Sequence, residues 1–311
     1  MLRGVSFSVA RGQIVGLLGP NGCGKTTTLR LIAGFLSPDA GEARVCGQTV
    51  GAGSLAARRH IGYLPEKPPL YDALRVVDYL DFVAAAKGLD AAVRRTAVDR
   101  AMHDYALTAV ARKIIGTLSK GYRQRVGLAQ ATLAEPEVLL LDEATNGLDA
   151  LQIVEARGLI RAGSQGRAVL FCSHLMQEVA ALCDRVLVLH EGRPVALGEA
   201  SPTPRFALRL TGLAAADALR LRSAVAGVSE VECRSEDDDV VVFCCTGQTP
   251  LLADALARVA TSHGRLLSLE VQRASLEDRF IAAMQREGRA PNGQTPPPKS
   301  AGAQAIAEVT P

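Results

Sequence analysis

The sequence lacks several features that would identify particular classes of protein. It has no Trp, and aromatic residues make up 4% of its 311 residues, so few flat side chains are present on which nucleic-acid bases could stack. Lys and Arg together (35) nearly balance Asp and Glu (32), and no basic block stands out along the chain. We therefore expect no nucleic-acid partner.

Long apolar runs are also missing. Runs such as Val138 to Leu141 and Val240 to Cys245 are much shorter than the about 18 residues that cross a bilayer as a helix. This absence predicts a chain without transmembrane spans. The seven cysteines include no Cys-x-x-Cys pair, which favours reduced thiols over a disulfide framework or a metal site.

Short apolar strands alternate with helical stretches from Val5 to about Gly198, and this alternation predicts an α/β fold with a partly parallel, mixed sheet. Four runs are apolar almost throughout, as strands covered on both faces must be. These predicted strands are 14–18, 138–141, 168–172 and 186–189. Helical spacing begins at about Val76, and we place a helical subdomain at about 76–135.

A second, smaller domain is predicted to follow Ser201-Pro202-Thr203-Pro204, because two prolines in four residues stop regular structure. The elements predicted beyond this linker form the split β-α-β-β-α-β order of ferredoxin-like domains. They are strand 205–211, helix 213–226, strand 228–234, strand 240–246, helix 250–262 and strand 266–272. This α+β domain is assigned to 204–287, with a last helix from Ser275, and the proline-rich residues 288–311 are predicted to be disordered.

Residues 19–26 read Gly-Pro-Asn-Gly-Cys-Gly-Lys-Thr and match the phosphate-binding pattern G-x-x-x-x-G-K-[ST]. Glycines let backbone N–H groups approach phosphate oxygens, Lys25 neutralises phosphate charge, and Thr26 can offer its hydroxyl to Mg²⁺. Cys23 lies near this lysine and a helix start, conditions that predict a reactive thiol whose alkylation blocks nucleotide binding. The residues expected to hold the nucleotide are Gly19, Asn21, Gly22, Cys23, Gly24, Lys25, Thr26 and Thr27.

The predicted strand 138–141 ends in two carboxylates, Asp142 and Glu143, at the edge where open α/β sheets bind ligands. Asp142 can hold magnesium together with Thr26. Glu143 can polarise a water for attack on the γ-phosphorus. An acidic pair after a strand is by itself more often a turn or a helix start, but a phosphate loop in the same chain favours the catalytic interpretation.

Three further segments resemble the motifs of ATP-binding cassette (ABC) ATPases. Residues 118–125, Leu-Ser-Lys-Gly-Tyr-Arg-Gln-Arg, are similar to the LSGGQ signature of that family. Asn146-Gly147-Leu148-Asp149 resembles the D-loop, and Ser173-His174 resembles the switch histidine. With the phosphate loop and the acidic pair, these motifs stand in the family's order over about residues 1–200.

The resemblance implies a P-loop ATPase that uses ATP with Mg²⁺ and acts as a head-to-tail dimer with a second copy or a paralogous ATPase subunit. ATP would lie between the phosphate loop of one chain and Ser119 and Gly121 of the other. His174 would contact the γ-phosphate, and Asp149 would lie at the dimer interface. The resemblance is greatest to drug, lipid and gliding-associated exporters, which implies integral membrane permease subunits as partners and a cytoplasmic position on the inner face of the cell membrane.

The sequence also departs from the family pattern. Lys120 and Tyr122 replace a Gly and the Gln of the signature, and Glu66 stands where the family usually has the Gln of its Q-loop. We expect Glu66 to reach magnesium through water and to alter the metal dependence. By spacing, the family's first strand and adenine-stacking aromatic residue would fall before Met1, which predicts ATP binding weaker by about 1–2 kcal/mol.

Two other interpretations remain open. One is a soluble ABC ATPase that acts on ribosomes or DNA, although such proteins usually carry two cassettes or long coiled-coil, zinc or basic insertions. The other is a regulatory module that binds ATP without hydrolysing it, and the retention of Lys25, Asp142, Glu143 and His174 argues against it. The transported substrate cannot be read from the sequence, because selectivity belongs to the membrane partner.

Overall fold

The computed structural model describes residues 2–51 and 54–195, the strands at 205–211, 228–233, 239–245, 265–272 and 306–309, and the single positions 276, 280 and 283. The chain divides into two compact units, Met1–Ala196 with Thr295–Pro311 and Leu197–Gln294. Among the described residues, no helix combines the length and apolarity that crossing a bilayer requires.

The first unit contains both strands and helices, and the second contributes strands. In chain order the strands are β1 (Phe7–Val9), β2 (Ile14–Leu18), β3 (Glu42–Val45), β4 (Gln48–Val50), β5 (Ile61–Leu64), β6 (Val138–Asp142), β7 (Ala168–Ser173), β8 (Arg185–His190), β9 (Arg193–Val195), β10 (Arg205–Thr211), β11 (Val228–Cys233), β12 (Asp239–Cys245), β13 (Arg265–Gln272) and β14 (Ile306–Val309). The helices are α1 (Lys25–Ile32), α2 (Leu55–Arg59), α3 (Val76–Ala86), α4 (Ala91–Asp104), α5 (Lys120–Thr132), α6 (Ala150–Gly163) and α7 (Met176–Leu182).

A six-stranded sheet of order β5-β6-β7-β2-β8-β9 carries the motifs. Its neighbours are parallel from β5 to β8, and β9 is antiparallel to β8. Every residue of β2, β6 and β7 is buried, which explains why these runs are apolar throughout. The prediction of a mixed α/β sheet is confirmed, and the adjacent carboxyl ends of β6, β7 and β2 bring three motifs to one edge.

The helical segment predicted from about residue 76 contains α3, α4 and α5, and each of the three helices contacts the other two. The helix α5 begins where the sequence places the start of its signature helix. Ser119 is the N-cap, and its hydroxyl accepts a hydrogen bond from the N–H of Tyr122 at 3.4 Å.

A second sheet in the first unit has the order β1-β14-β3-β4. The strand β14 lies between β1 and β3 and pairs with both in parallel. The predicted disorder of 288–311 is therefore wrong for residues 306–309, while the remainder of that segment lies outside the described residues. The prolines that motivated the prediction cluster near 296–298, whereas Ile-Ala-Glu-Val has β-branched ends and no proline, and two strand edges can pair with its backbone.

In the second unit the strands have the order β11-β12-β10-β13, and all neighbours are antiparallel. This is the order that a split β-α-β-β-α-β chain produces. The linker at 201–204 and the predicted helices at 213–226 and 250–262 lie outside the described residues. The assignment of a ferredoxin-like domain to 204–287 stays a prediction.

Candidate functional site

The phosphate loop connects β2 to α1 and ends at Gly24. This residue is the N-cap of α1, in the left-handed region at φ 111°, and no side chain caps the helix. This backbone angle favours glycine, and a Cβ at this position would also displace the Leu2 side chain, whose Cδ2 would lie 2.5 Å away. The first N–H groups of α1 consequently remain available to an anion.

A cavity of about 290 Å³ lies at this helix start, next to the carboxyl ends of β6 and β7. All of its lining residues except Asn146 are predicted site residues. They are Asn21, Gly22, Gly24, Lys25, Thr26, Thr27, Glu66, Glu143, Asn146 and His174. The strand order places Glu143 after β6 and His174 after β7, beside the loop that follows β2.

Lys25 is the buried cation of this cavity, with 6% of its surface exposed. Its ammonium donates hydrogen bonds to the carbonyls of Gly19 at 2.8 Å and Pro20 at 3.3 Å. It also forms an ion pair with Oε1 of Glu143 at 3.5 Å. The loop carbonyls and the carboxylate therefore fix the ammonium at the start of α1.

Glu143 is held on its other side by His174, whose Nδ1 lies 2.7 Å from Oε2 of the carboxylate. When the carboxylate is ionised, Nδ1 carries the proton of this hydrogen bond, and Nε2 remains for another partner. The backbone of Glu143 is in the left-handed region at φ 50°, which is uncommon for a residue other than glycine. Such a conformation at the centre of the cavity is typical of a functional residue.

Asp142 ends β6 and is 1% exposed. Burial raises the pKa of its carboxyl group, and the Glu143 and Glu66 carboxylates raise it further, whereas a hydrogen bond with Thr26 and the charge of Lys25 lower it. Its Oδ1 is buried and has no hydrogen-bond partner within the chain.

An orphaned carboxylate oxygen beside a threonine hydroxyl fits the oxygen ligands that Mg²⁺ prefers. Among the described residues, no group of three or more His, Cys, Asp or Glu side chains could hold a metal ion by itself. Magnesium at this position would accordingly be completed by phosphate oxygens and water, which is its usual coordination in nucleotide sites.

Gly19 and Cys23 belong to the phosphate loop but do not line the cavity. Cys23 is 4% exposed and belongs to the hydrophobic core, and a Cβ on Gly19 would lie 2.6 Å from its Sγ. The reactive thiol predicted for Cys23 is wrong, because reactive cysteines are at least partly exposed whereas this one packs inward.

The predicted residues of the signature segment and D-loop lie elsewhere in the single chain. Ser119 and Gly121 line a separate cavity of about 200 Å³ at the start of α5. Asp149 is the N-cap of α6 and accepts a hydrogen bond from the N–H of Gln152 at 2.9 Å. None of these three residues lines the cavity at the start of α1.

Asn146 is the cavity residue that the sequence analysis did not select. Its Nδ2 donates to Oε1 of Glu66 at 3.4 Å, which links the D-loop segment to the residue at the Q-loop position. The available signal was its place in the same short loop as Glu143 and Asp149. A larger cavity of about 540 Å³ shares Thr27 with the site, but its mainly apolar lining does not suit phosphates.

Comparison with known proteins identifies the family to which this geometry belongs. A family model described as ABC transporter matches residues 2–146. The Nod factor export ATP-binding protein I of Ralstonia nicotianae is 34% identical over 294 residues, which cover 92% of this chain and 89% of that protein. The chain belongs to the ABC transporter family of ATP-binding proteins.

Other members of the ABC family show similar agreement. The linearmycin resistance ATP-binding protein LnrL of Bacillus subtilis is 31% identical, with 90% of this chain and 92% of that protein covered. A solved ATP-binding subunit of an ABC transporter has a TM-score of 0.56 at 32% identity and covers 62% of this chain and 80% of that one. The structure of cbiO1 from Clostridium perfringens, part of the ABC transporter complex cbiONQ, has a TM-score of 0.56 at 30% identity, with 60% and 76% covered. The chain is an ATP-binding protein and an ATPase with the P-loop fold of this family.

Proposed function

We propose that this ABC ATPase works as a dimer on the inner face of the cell membrane and powers the export of a substrate through separate permease subunits. The names of two relatives, concerned with Nod factor export and linearmycin resistance, support an exporter. The observation that carries the proposal is the convergence of Lys25, Glu143 and His174 on one cavity at the end of the sheet.

The triphosphate binds at the start of α1. Backbone N–H groups of Asn21, Gly22 and Gly24 approach its oxygens, and the Lys25 ammonium neutralises its terminal charge. Thr26 and Asp142 would hold Mg²⁺, with Glu66 reaching it through water. When bound, the metal would supply charge neutralisation to the phosphates.

Hydrolysis uses the carboxylate of Glu143. A water molecule that donates to this carboxylate is oriented for attack on the γ-phosphorus, and the bond from that phosphorus to the ADP oxygen breaks as the new P–O bond forms. The hydrogen bond from His174 keeps the carboxylate in this orientation, because Nδ1 holds one oxygen while the other faces Lys25.

The second copy completes the site. The N–H groups at the start of α5, with Ser119 and Gly121, would face the γ-phosphate held by the partner chain, and Asp149 would lie across the interface. Closing both helix starts on one triphosphate excludes water and strengthens each electrostatic contact. Binding of ATP would thereby close the dimer, and hydrolysis would allow it to open.

An aromatic patch in the helical segment suits a permease. Tyr71 and Phe82 are 53% and 48% exposed, with ring centroids 5.4 Å apart, and Tyr79 packs against Tyr71 at 5.8 Å. Exposed aromatic side chains that adjoin one another mark interaction sites more often than isolated ones do. With the segment from Glu66 to Leu70, this patch would receive a cytoplasmic helix of the permease.

Two variants test the roles in the nucleotide site. Glu143→Gln should retain ATP, lose about 10²- to 10⁴-fold in turnover and accumulate as a dimer, because only the oriented water is lost. Lys25→Ala should lose nucleotide affinity itself. Calorimetric ATP binding, phosphate release and sedimentation distinguish the two. Identical behaviour of the variants would contradict the division of roles.

The permease is tested by purification from membranes. An integral membrane protein should co-purify with the chain. The double variant Tyr71→Ser and Phe82→Ser should co-purify with less of it while still binding ATP. Leu55→Ser, at a side chain 68% exposed on α2, is the matched control for the loss of exposed apolar surface. Recovery of ribosomes or DNA in place of a membrane protein would favour the soluble alternative.

A further inference from the structure

The C-terminal strand β14 fills a gap between β1 and β3 in the four-stranded sheet of the first unit. Ala307 lies opposite Phe7 of β1 and also opposite Ala43 of β3. In the part of the chain that the structure describes, β1 has no other strand partner, and β3 has β4 on its far side. Without β14 this sheet would therefore divide into a single strand and the β3–β4 hairpin.

The strands on either side of the gap belong to the hydrophobic core. Phe7, Val9, Ala43 and Val45 are at most 9% exposed, and they pack in one cluster with residues of α1. The inner edges of β1 and β3 carry N–H and C=O groups that need hydrogen-bond partners, and a strand between them supplies partners on both sides. The gap consequently suits an extended segment of chain.

The apolar cavity of about 540 Å³ lies at the same gap, beside the nucleotide site. Its walls include Phe7 of β1, Ala43 of β3 and Thr27 of α1, and Thr27 also lines the nucleotide cavity. Leu2 belongs to the same wall, and its Cδ2 would lie 2.5 Å from a Cβ on Gly24, the N-cap of α1. The segment that leads into β1 therefore packs directly against the phosphate loop.

The chain's own C-terminal residues are suited to the gap. Residues 306–309, Ile-Ala-Glu-Val, contain no proline and have a β-branched residue at each end, which favours an extended strand. They pair with three residues of β1 and four of β3, so β14 is a short strand near the end of the chain. Short terminal elements open at a lower cost in free energy than core strands do. Release of β14 can thus occur while the six-stranded sheet stays folded.

We propose that the gap between β1 and β3 is a strand-binding site for the C-terminal residues of this chain, and that its occupation is coupled to nucleotide binding through α1. The docked strand fixes β1 against β3, and both of these strands pack in one cluster with α1. Its release loosens β1 and the preceding Leu2 beside Gly24, so the nucleotide is held less tightly. Because coupling between two sites is reciprocal, a bound nucleotide strengthens docking of the C-terminal strand by the same factor.

Ala307→Pro in the full chain is the first test. Proline removes a backbone N–H from a strand that has neighbours on both sides, so β14 should no longer dock. The affinity for ADP, measured by calorimetry, should fall by about fivefold or more, the lower end of the usual coupling between sites. Ala301→Pro, the same substitution outside β14, is the matched control and should leave the affinity unchanged.

A peptide supplied separately tests the gap itself. Residues 303–311, added as a synthetic peptide to the full-length Ala307→Pro variant, should bind and restore the affinity for ADP. The same peptide with proline in place of Ala307 should do neither. The affinity for the native peptide should rise in saturating ADP by the factor by which the peptide raises the affinity for ADP, as reciprocity requires.

A disulfide identifies the source of the strand. Ser8 lies opposite Glu308 in the register, and opposite positions on neighbouring strands are about 4.8 Å apart, within the Cα–Cα range of a disulfide. Ser8→Cys with Glu308→Cys should form a linked single chain on oxidation of a dilute sample. Each single variant and the native chain, with its seven cysteines, are the controls. A linked pair of chains would assign the strand to a second copy and would overturn its assignment to the same chain.

Unchanged ADP affinity in a folded Ala307→Pro chain would overturn the coupling, and so would a loss that the native peptide does not restore. Should that variant fail to fold, the double variant Ile306→Ser and Val309→Ser keeps every N–H group and lowers only the strand preference. It should show a smaller loss that the same peptide reverses, and an unchanged affinity would again overturn the coupling. These measurements need ADP binding alone, so they do not depend on the proposed export.

Discussion

Two helix starts of this chain carry residues that are predicted to contact phosphate, and they are built differently. The start of α1 has a glycine N-cap in the left-handed region, no side-chain cap and the buried cation Lys25. The start of α5 has a side-chain cap, Ser119, whose 3.4 Å hydrogen bond to the Tyr122 N–H is long and exposed. The first is thus a site with a buried cation inside the chain, and the second is an exposed helix start whose first residue is Lys120.

The basic residues of α5 reinforce this contrast. Arg123 and Arg125 each lie 2.6 Å from a carboxylate of their own chain, on Asp72 and Glu155. Their charges are therefore already directed to partners within the chain. On the proposed function, the start of α1 binds phosphate in a single chain, whereas the start of α5 adds N–H groups and a hydroxyl to a phosphate that another chain already holds.

Among the variants that compare the start of α1 with the start of α5, we expect the largest change in kcat from His174→Ala, beside the start of α1. Removing the hydrogen bond to Glu143 should lower kcat by about 10- to 100-fold, less than the loss of the base itself, because the carboxylate remains but is misoriented. KM should change little, since Lys25 keeps its contacts. His103→Ala is the control, because the His103 side chain is 88% exposed on α4. A rise in KM that accounts for the whole loss would contradict this role.

At the start of α5, Ser119→Ala should lower turnover by the dimer without changing nucleotide binding by a single chain. Nucleotide affinity of single copies should be unchanged, while turnover at a fixed protein concentration should fall by about 2- to 12-fold, the loss expected for removing one hydrogen bond of about 0.5–1.5 kcal/mol. Thr117→Ala is the matched control, since its hydroxyl lies in the preceding turn and donates to the carbonyl of Ile114 at 2.7 Å. Weaker ATP binding by single copies of Ser119→Ala would remove the distinction between the two ends.

The parts predicted best from sequence are those in which one short segment determines its own conformation. The phosphate loop and the acidic pair needed only a strand, a glycine turn and a following helix, and the strand order then brought them together. The ion pair of Lys25 with Glu143 was not predicted, because it depends on the direction of two side chains from different strands' ends. Asn146 was missed for the same reason, since its contact with Glu66 joins residues far apart in sequence.

Local composition predicted the structure of the last residues less well. It predicted disorder for the last residues, but pairing with β1 and β3 depends on strand edges supplied by the other end of the chain, which no local pattern records. The predicted reactivity of the Cys23 thiol likewise depended on contacts that the local sequence does not record. Its neighbours in sequence predict a reactive thiol, whereas its neighbours in space are core residues.

The buried, ionised carboxylate of Asp142 beside the start of α1 should lower the free energy of unfolding. The substitution Asp142→Asn measures this effect. Burial raises the pKa of Asp142, so the folded chain binds this proton more tightly than the unfolded chain does. Its contribution to stability is therefore fully present below the unfolded pKa and is lost as the pH rises through the folded value. In EDTA, the variant should melt higher at neutral pH by about 2–4 °C, the shift that about 1 kcal/mol gives in a folding unit of about 150–250 residues such as the first unit.

The gain should shrink as the pH is lowered through the raised pKa of Asp142, because the native carboxyl group then becomes neutral as well. Asp149→Asn is the control at an exposed helix cap, where Asn and Asp stabilise the helix almost equally. Thermal unfolding of the three proteins from pH 4 to 8 separates these expectations. A stability difference independent of pH would show that the charge of Asp142 is not the cause.

The smallest effect is expected from Glu66→Gln, which tests whether the acidity of the α1 end matters beyond Asp142 and Glu143. A carboxylate reaching magnesium through water attracts it more strongly than an amide does, so half-maximal turnover should require about 2- to 5-fold more Mg²⁺. Asp99→Asn, at an exposed position on α4, controls for the change in net charge.

The metal titration should be repeated with Ser119→Ala, whose magnesium requirement should match that of the native chain because α5 carries no metal ligand in the proposal. If Glu66→Gln and Ser119→Ala both raised the Mg²⁺ concentration needed for half-maximal turnover by the same factor, the cause would be weaker dimer closure and not the lost carboxylate of Glu66.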